Sequence, residues 1–188
     1  MSQTALLCDA AESVLVVIDI QERLAKAMPD KPLQHLVERT GLLLQAARLL
    51  DIPVLRTEHY PKGLGPTLPD IEQQLHKEDH KIEKTCFSCC DASGFEQTLQ
   101  KTARRQVVLT GTESHVCVLQ TALGLQASGH QAFVVSDAVY SRHKANHKNA
   151  LRRMAQSGVV ITNSESVLFE WLRDSQHEQF KTILAMLR

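Results

Sequence analysis

Short apolar runs alternate along the chain with longer segments whose apolar residues recur at helical spacing. Val14 to Ile20 (VLVVIDI) is almost continuously apolar, which is typical of a strand buried on both faces of a parallel sheet. Leu33 to Leu50 carries apolar residues three and four positions apart, which predicts an amphipathic helix. The same alternation continues to about residue 172.

The segment from Gln106 to Asp137 stands at the centre of this pattern. Gln106 to Leu109 and Ala132 to Val135 are β-rich runs, and apolar residues from Val116 to Leu125 lie between them at helical spacing. This order predicts a βαβ unit. Cys117 falls on the first turn of its helix, where free N–H groups and the helix dipole favour a thiolate. A buried cysteine that acts as a small apolar residue is the alternative.

The whole pattern contains about six strands that alternate with helices. Further predicted elements are strands at 53–57, 81–85 and 159–162 and helices at 68–76, 94–102, 145–156 and around 167–172. This order predicts a three-layer α/β/α sandwich with a six-stranded, mainly parallel sheet in one domain over residues 1–188. Its core spans about 14–172, and we expect the amphipathic tail at 176–188 to pack back on the domain or against a neighbouring subunit.

Composition narrows the class of protein. Lysine plus arginine and aspartate plus glutamate both number 21, so the formal net charge is zero. A basic stripe with interleaved aromatic residues is missing, so we expect no nucleic acid partner, and the neutral charge favours a homo-oligomer. We also expect no membrane partner, because no apolar run reaches the roughly 20 residues that a bilayer requires.

The chain has five cysteines. An odd number without an export signal predicts reduced thiols in a cytoplasmic protein. The cluster of Cys86, Cys89 and Cys90 lacks the second ligand pair of a tetrahedral zinc site, so we predict no metal there.

Three reactive side chains stand at predicted strand ends: Asp19, Lys84 and Cys117. Each also has an ordinary interpretation when it is taken singly. Asp19 would then be a turn residue, and Lys84 would be a surface charge. Because parallel strands end at one edge of the sheet, the three are expected to meet there. A carboxylate can take the thiol proton, and an ammonium stabilises both anions. The turn from 111 to 116 offers N–H groups to an oxyanion, so the pattern predicts acyl-type hydrolysis without a metal or other cofactor.

Six motifs occur along the chain in this order: VVIDIQE (16–22), TEHYPKGLGPT (57–67), KTCFSC (84–89), LTGTESHVCVLQTAL (109–123), VVSDAVYSR (134–142) and ITNSESVLF (161–169). In these motifs and their order the chain resembles the isochorismatase-like cysteine hydrolase superfamily, and within it the small isochorismatase-domain and nicotinamidase-related proteins. The resemblance implies a catalytic triad in which Asp19 is the general base, Lys84 the lysine and Cys117 the nucleophile. It also implies a non-proline cis peptide bond between Thr112 and Glu113, with an oxyanion hole formed by the N–H groups of Glu113 and Cys117.

One motif departs from the metal-binding branch of the superfamily. Nicotinamidases of the superfamily have Asp-x-His after the second strand, where this chain has Thr57-Glu58-His59-Tyr60. We therefore expect neither metal binding nor nicotinamidase activity.

The candidates for the substrate pocket are Gln21, His59, Tyr60, Phe87 and His115. Gln21 would line its floor or serve as an ordinary loop residue. His59 and Tyr60 would line its mouth, and His115 would either line it or face away.

The expected function is hydrolysis of an amide-like C–N bond in a small molecule through a covalent cysteine adduct. Two alternatives remain: a catalytically silent oligomeric binding or scaffold protein, and an isochorismatase-type vinyl ether hydrolase. A flavodoxin-like cofactor binder is excluded, because Gly63-Leu64-Gly65 is too short for a phosphate loop.

Overall fold

A computed structural model describes residues 6–187 of the chain. Its sheet consists of β1 Ser13–Ile18, β2 Val54–His59, β3 His80–Lys84, β4 Gln106–Thr112, β5 Gln131–Tyr140 and β6 Val160–Thr162. The helices are α1 Glu22–Lys26, α2 Asp30–Leu49, α3 Pro61–Leu64, α4 Pro69–Glu72, α5 Phe95–Lys101, α6 Leu119–Ala127, α7 Lys144–Gln156, α8 Ser164–Leu172 and α9 Phe180–Met186. A short 3₁₀ turn at Cys89–Asp91 and a π-helical turn at Ser114–Val118 complete the described elements.

The six strands form one sheet in the order β3-β2-β1-β4-β5-β6, and every neighbouring pair is parallel. The predicted α/β class is therefore confirmed. β1 and β4 are buried at every position because helices cover both faces. One apolar core lies between one face of the sheet and helices α2 and α8. A second core lies between the opposite face and helices α5, α6 and α7.

The order of the strands decides where the reactive side chains lie. The chain leaves β1 towards one edge of the sheet through β2 and β3, then crosses over to β4, β5 and β6 on the other side of β1. β1 and β4 are therefore neighbours, but the chain leaves them towards opposite edges of the sheet. The carboxyl ends of β1, β2, β3 and β4 lie together at this point, and open α/β sheets bind ligands at such a position.

Several predicted boundaries differ from the structure. β1 ends at Ile18 rather than Ile20, because Asp19 leaves the strand in a left-handed conformation with φ of 50°. The helix predicted at 68–76 is only the short α4, whose first residue is Pro69. The C-terminal α9 packs on its own domain, with Ile183 in the core and Phe180 against it.

No helix within residues 6–187 has the length and apolar character needed to cross a membrane.

Candidate active site

Asp19 is fixed from both neighbouring strands directly after β1. Its N–H donates to the Thr57 carbonyl at 3.2 Å, and its carbonyl accepts from the Thr112 hydroxyl at 2.6 Å. Its carboxylate accepts from the Thr57 hydroxyl at Oδ1 and from Lys84 Nζ at Oδ2, each at 2.7 Å. Since Asp19 is fully buried, these contacts replace water around the charge.

Lys84 ends β3, and its side chain is fully buried. Its ammonium donates to Asp19 Oδ2 and to the carbonyls of Phe87 at 3.0 Å and Cys86 at 3.3 Å. Burial alone would lower the pKa of Lys84, but the negative charge of Asp19 and the hydrogen bond to it outweigh burial, and the pKa is raised. An ammonium has three N–H donors, so Lys84 acts here as a fixed positive charge with no donor left over.

Cys117 lies in the π-helical turn that leads from β4 into α6, and it is buried. Burial and the neighbouring Asp19 carboxylate raise the pKa of its thiol well above the ordinary value, although Lys84 opposes them. These surroundings oppose the thiolate that the start of a helix favours, because desolvation and a neighbouring carboxylate both disfavour the anion.

Thr57 and Cys89, which the sequence did not place at the triad, complete this cluster. Thr57 donates to the carboxylate of Asp19, and the Cys89 thiol contacts the same hydroxyl at 3.8 Å. The Cys89 N–H donates to the hydroxyl of Thr121, four residues after Cys117 on the same helical face. Burial and the Asp19 charge raise the pKa of Cys89 to about 12, so a second neutral thiol lies beside the site. The sequence analysis considered Cys89 only as a member of the cluster with Cys86 and Cys90.

The loop before Cys117 contains a cis peptide bond between Thr112 and Glu113, as the resemblance implied. Glu113 itself is buried, and its carboxylate lies 3.1 Å from His115 Nδ1 and 3.6 Å from Arg142 Nε. His115 also contacts Ser141 Oγ at 2.9 Å and Asn146 at 3.3 Å. Its ring nitrogens are thus engaged by the segment from 141 to 146.

The remaining pocket candidates divide into buried and exposed groups. Gln21 is fully buried; its amide donates to the carbonyls of His59 and Gly65 and accepts from the His59 N–H at 2.7 Å. It therefore holds the loop after β2 in place. The His59 ring stacks on Phe87 with centroids 5.4 Å apart, and Phe87 and Tyr60 are each about half exposed. Tyr60 also lines a cleft of about 510 Å³ that includes Lys84 and Cys86.

Within residues 6–187, no group of three or more histidine, cysteine, aspartate or glutamate side chains is arranged to hold a metal ion.

Comparison with known proteins places the fold and the motifs in one family. The Isochorismatase domain model matches residues 13–166. The chain is 39% identical over 177 residues to isochorismatase domain-containing protein 2A of Mus musculus, covering 94% of this chain and 82% of that protein. It is 39% identical over 171 residues to isochorismatase domain-containing protein 2 of Xenopus laevis, covering 91% and 81%.

Solved structures agree with these relatives. The structure of MAR1 ribonuclease from Caenorhabditis elegans is similar with a TM-score of 0.90 and 36% identity, covering 96% of this chain and 92% of that chain. The YcaC gene product of Escherichia coli, described as an octameric hydrolase of unknown specificity, shares the fold with a TM-score of 0.86 and 24% identity, covering 96% and 88%. The chain belongs to the isochorismatase-like hydrolase superfamily.

Proposed function

We propose that this protein is a metal-independent cysteine hydrolase that cleaves an amide-like C–N bond in a small molecule. Cys117 is the nucleophile, Asp19 the general base and Lys84 the fixed positive charge of the triad. The observation that carries the proposal is the buried ion pair of Lys84 and Asp19 beside the neutral thiol of Cys117. Removing two charges from water is costly, so a pair of this kind at a sheet edge favours a chemical role.

The first step transfers the thiol proton to Asp19 while the sulfur attacks the substrate carbonyl carbon. A carbon–sulfur bond forms, and the electrons of the carbonyl π bond move to its oxygen. The N–H groups of Glu113 and Cys117 receive this oxyanion. Lys84 takes no proton and gives none, because its three donors already bind Asp19 and two carbonyls. It holds the carboxylate in place before and after the proton moves.

The second step releases the nitrogen. The tetrahedral adduct collapses, the C–N bond breaks and the leaving nitrogen takes the proton from Asp19, which leaves a thioester on Cys117. Asp19 then removes a proton from water, and the resulting hydroxide attacks the thioester. The carbon–sulfur bond breaks and the thiolate regains its proton from Asp19. The balance is one amide and one water consumed, one carboxylic acid and one amine formed.

The aromatic side chains beside the site favour a substrate with a flat or apolar portion. His59 and Phe87 stack on each other, and Tyr60 projects from the same edge of the sheet. Exposed rings at a cleft bind such groups through their faces. His115 remains a candidate for the wall nearest Cys117. We further propose that the protein is cytoplasmic and forms a homo-oligomer. Light scattering measures its oligomeric state.

The test is turnover of a substrate panel by the full chain: simple amides, carbamoyl compounds, nicotinamide and isochorismate. A short RNA belongs in the panel because the C. elegans relative is described as a ribonuclease. Cys117→Ala is expected to abolish turnover of the active amide. The matched control is Cys90→Ala, which removes a half-buried thiol that does not line the cleft beside Tyr60, and full activity is expected.

Other outcomes identify the alternatives. Hydrolysis of isochorismate alone indicates a vinyl ether hydrolase, and cleavage of RNA indicates a ribonuclease. An inert panel together with equal, slow labelling of all five cysteines by a thiol probe indicates a binding or scaffold protein. Full activity of Cys117→Ala contradicts the mechanism.

A further inference from the structure

A network of polar side chains, buried at its centre and exposed at Arg142, joins the loop before Cys117 to the segment that opens α7. Its members on the loop are Glu113, Ser114 and His115, and its members on the other side are Ser141, Arg142, Asn146 and His147. The catalytic triad uses none of these side chains. Ser114 and Ser141 are both fully buried, so each hydroxyl depends on the network for its hydrogen bonds.

The contacts form one continuous path. Ser141 Oγ lies 2.9 Å from His115 Nδ1 and 2.5 Å from Ser114 Oγ, and Ser114 Oγ lies 3.2 Å from His147 Nδ1. At the other end, His115 Nδ1 lies 3.1 Å from Glu113 Oε2. Ser141 is the only member that contacts two residues of the loop directly.

The protons can be assigned from the donor inventory of each group. Asn146 Nδ2 can only donate, so His115 Nε2 accepts and the neutral ring carries its proton on Nδ1. Nδ1 donates that proton to Ser141 Oγ, and the buried Glu113 Oε2 lies 3.1 Å from the same nitrogen without a hydrogen bond of its own.

The remaining protons follow from that assignment. Ser141 then donates to Ser114, and Ser114 donates to His147 Nδ1. Each contact thus has one donor and one acceptor, and the path runs in one direction from His115 to His147. Burial lowers the pKa of His147, which suits a neutral ring that accepts at Nδ1.

We propose that Ser141 is a positioning residue for the oxyanion hole, because its hydroxyl fixes the loop that carries the N–H groups of Glu113 and Cys117. The inference rests on the proposed function, since it assigns a support to the oxyanion hole of that mechanism. The Asp19 carboxylate lies beside the Cys117 thiol and pairs with Lys84 on the other side of the site from this network, so the network governs the stabilisation of the oxyanion and not the removal of the thiol proton.

Two reagents separate these effects. p-Nitrophenyl acetate acylates a thiol through a tetrahedral oxyanion, which forms a thioester and releases p-nitrophenol. Iodoacetamide alkylates the same thiol by displacing iodide and forms no oxyanion. In Ser141→Ala, acylation of Cys117 should slow by about tenfold or more, because misplaced oxyanion donors lose much of their effect. Alkylation should stay within about twofold of the native rate.

The matched control is Ser136→Ala, on β5. Its hydroxyl donates to the Thr162 carbonyl on β6 at 2.7 Å, outside the network, so both rates should match the native chain. Equal slowing of acylation and alkylation in Ser141→Ala overturns the inference and leaves the proposed function standing. A native chain that acylates at no cysteine overturns both.

Nitrogen NMR of the native chain tests the proton assignment even where the variant folds poorly. Neutral His115 should carry its proton on Nδ1, which is the less common tautomer of free histidine, and His147 should carry its proton on Nε2. In Ser141→Ala the His147 signals should move as Ser114 loses its donor. Native signals that show His115 protonated on Nε2 contradict the path.

Discussion

Replacing Lys84 by methionine tests the most unusual energetic feature of the structure, the ion pair with no exposed surface. Both side chains are fully buried, and the Lys84 ammonium makes three hydrogen bonds, the shortest of them 2.7 Å to Asp19 Oδ2. Lys84→Met keeps the length of the side chain but leaves a buried carboxylate without its counter-charge. Breaking such a pair from one side costs about 3–5 kcal/mol.

The double variant Lys84→Met with Asp19→Asn separates the charge from the loss of packing. It leaves no unpaired charge in the site, so it should be more stable than the sum of the two single losses predicts. The expected coupling is about 2–3 kcal/mol, at the upper end for residues in direct contact. Since the whole domain is expected to be stable by only about 5–15 kcal/mol, this difference is large.

Urea unfolding followed by the fluorescence of Trp171, the single tryptophan, measures these free energies of unfolding. Lys81→Met is the matched control on the same strand. The Lys81 side chain is 38% exposed, and its buried partner Glu58 keeps two hydrogen bonds from Thr67, so loss of this partly solvent-screened pair should cost about 1 kcal/mol or less. Strictly additive losses in the double variant, or equal losses for Lys84→Met and Lys81→Met, would refute the role assigned to the ion pair.

Three further predictions follow from single contacts. Thr57→Val removes a hydrogen bond to the charged Asp19 carboxylate and should lower the free energy of unfolding in urea by about 2 kcal/mol. Thr110→Val removes a buried hydroxyl without a hydrogen-bond partner and should leave that free energy nearly unchanged. Equal losses in the two variants contradict this. Gly111→Ala should abolish folding or lower the free energy of unfolding by about 4 kcal/mol. The added Cβ would lie 2.0 Å from the Ile18 carbonyl oxygen, and the residue would have to keep a φ of +123°. Native-like stability contradicts this close approach. Burial raises the pKa of Cys89 to about 12, so between roughly pH 9 and 12 the unfolded thiol is ionised while the folded thiol is not, and Cys89 should contribute a loss of about 1 kcal/mol of stability per pH unit. Cys89→Ser should reduce the measured slope by that amount and leave the contribution of the other buried thiols; an unchanged slope contradicts it.

The meeting of Asp19 and Lys84 could be expected from the sequence alone. Asp19 ends an apolar run and Lys84 lies in the weak strand signal at 81–85, and parallel strands bring such strand ends to one edge of the sheet. The motif match then supplied the position of the cis peptide bond, which no pattern of apolar residues indicates. The pattern of apolar residues was sufficient to locate β1 and β4, because both strands are buried on both faces and admit few polar residues.

Side-chain surroundings could not be predicted in the same way. Cys117 was expected to ionise because it begins a helix, but the structure buries it beside a carboxylate, and only tertiary packing determines that balance. Gln21 looked like a pocket residue, yet its amide binds the backbone near His59 and Gly65, which lie about forty positions further along the chain. Hydroxyls such as that of Thr57 are ordinary strand residues by pattern, and their partners become visible only once the strands are paired.

Mass spectrometry of the acyl adduct tests the central claim most directly. The full chain is treated with p-nitrophenyl acetate, quenched in acid and digested, and each of the five cysteines is scored for acetylation. The predicted result is one acetyl group on Cys117, strongly reduced in Asp19→Asn because the base is lost. Acetylation of the half-buried Cys86 or Cys90 in preference to Cys117, or an adduct on Cys117 that forms equally fast in Asp19→Asn, would contradict a mechanism in which Asp19 activates Cys117.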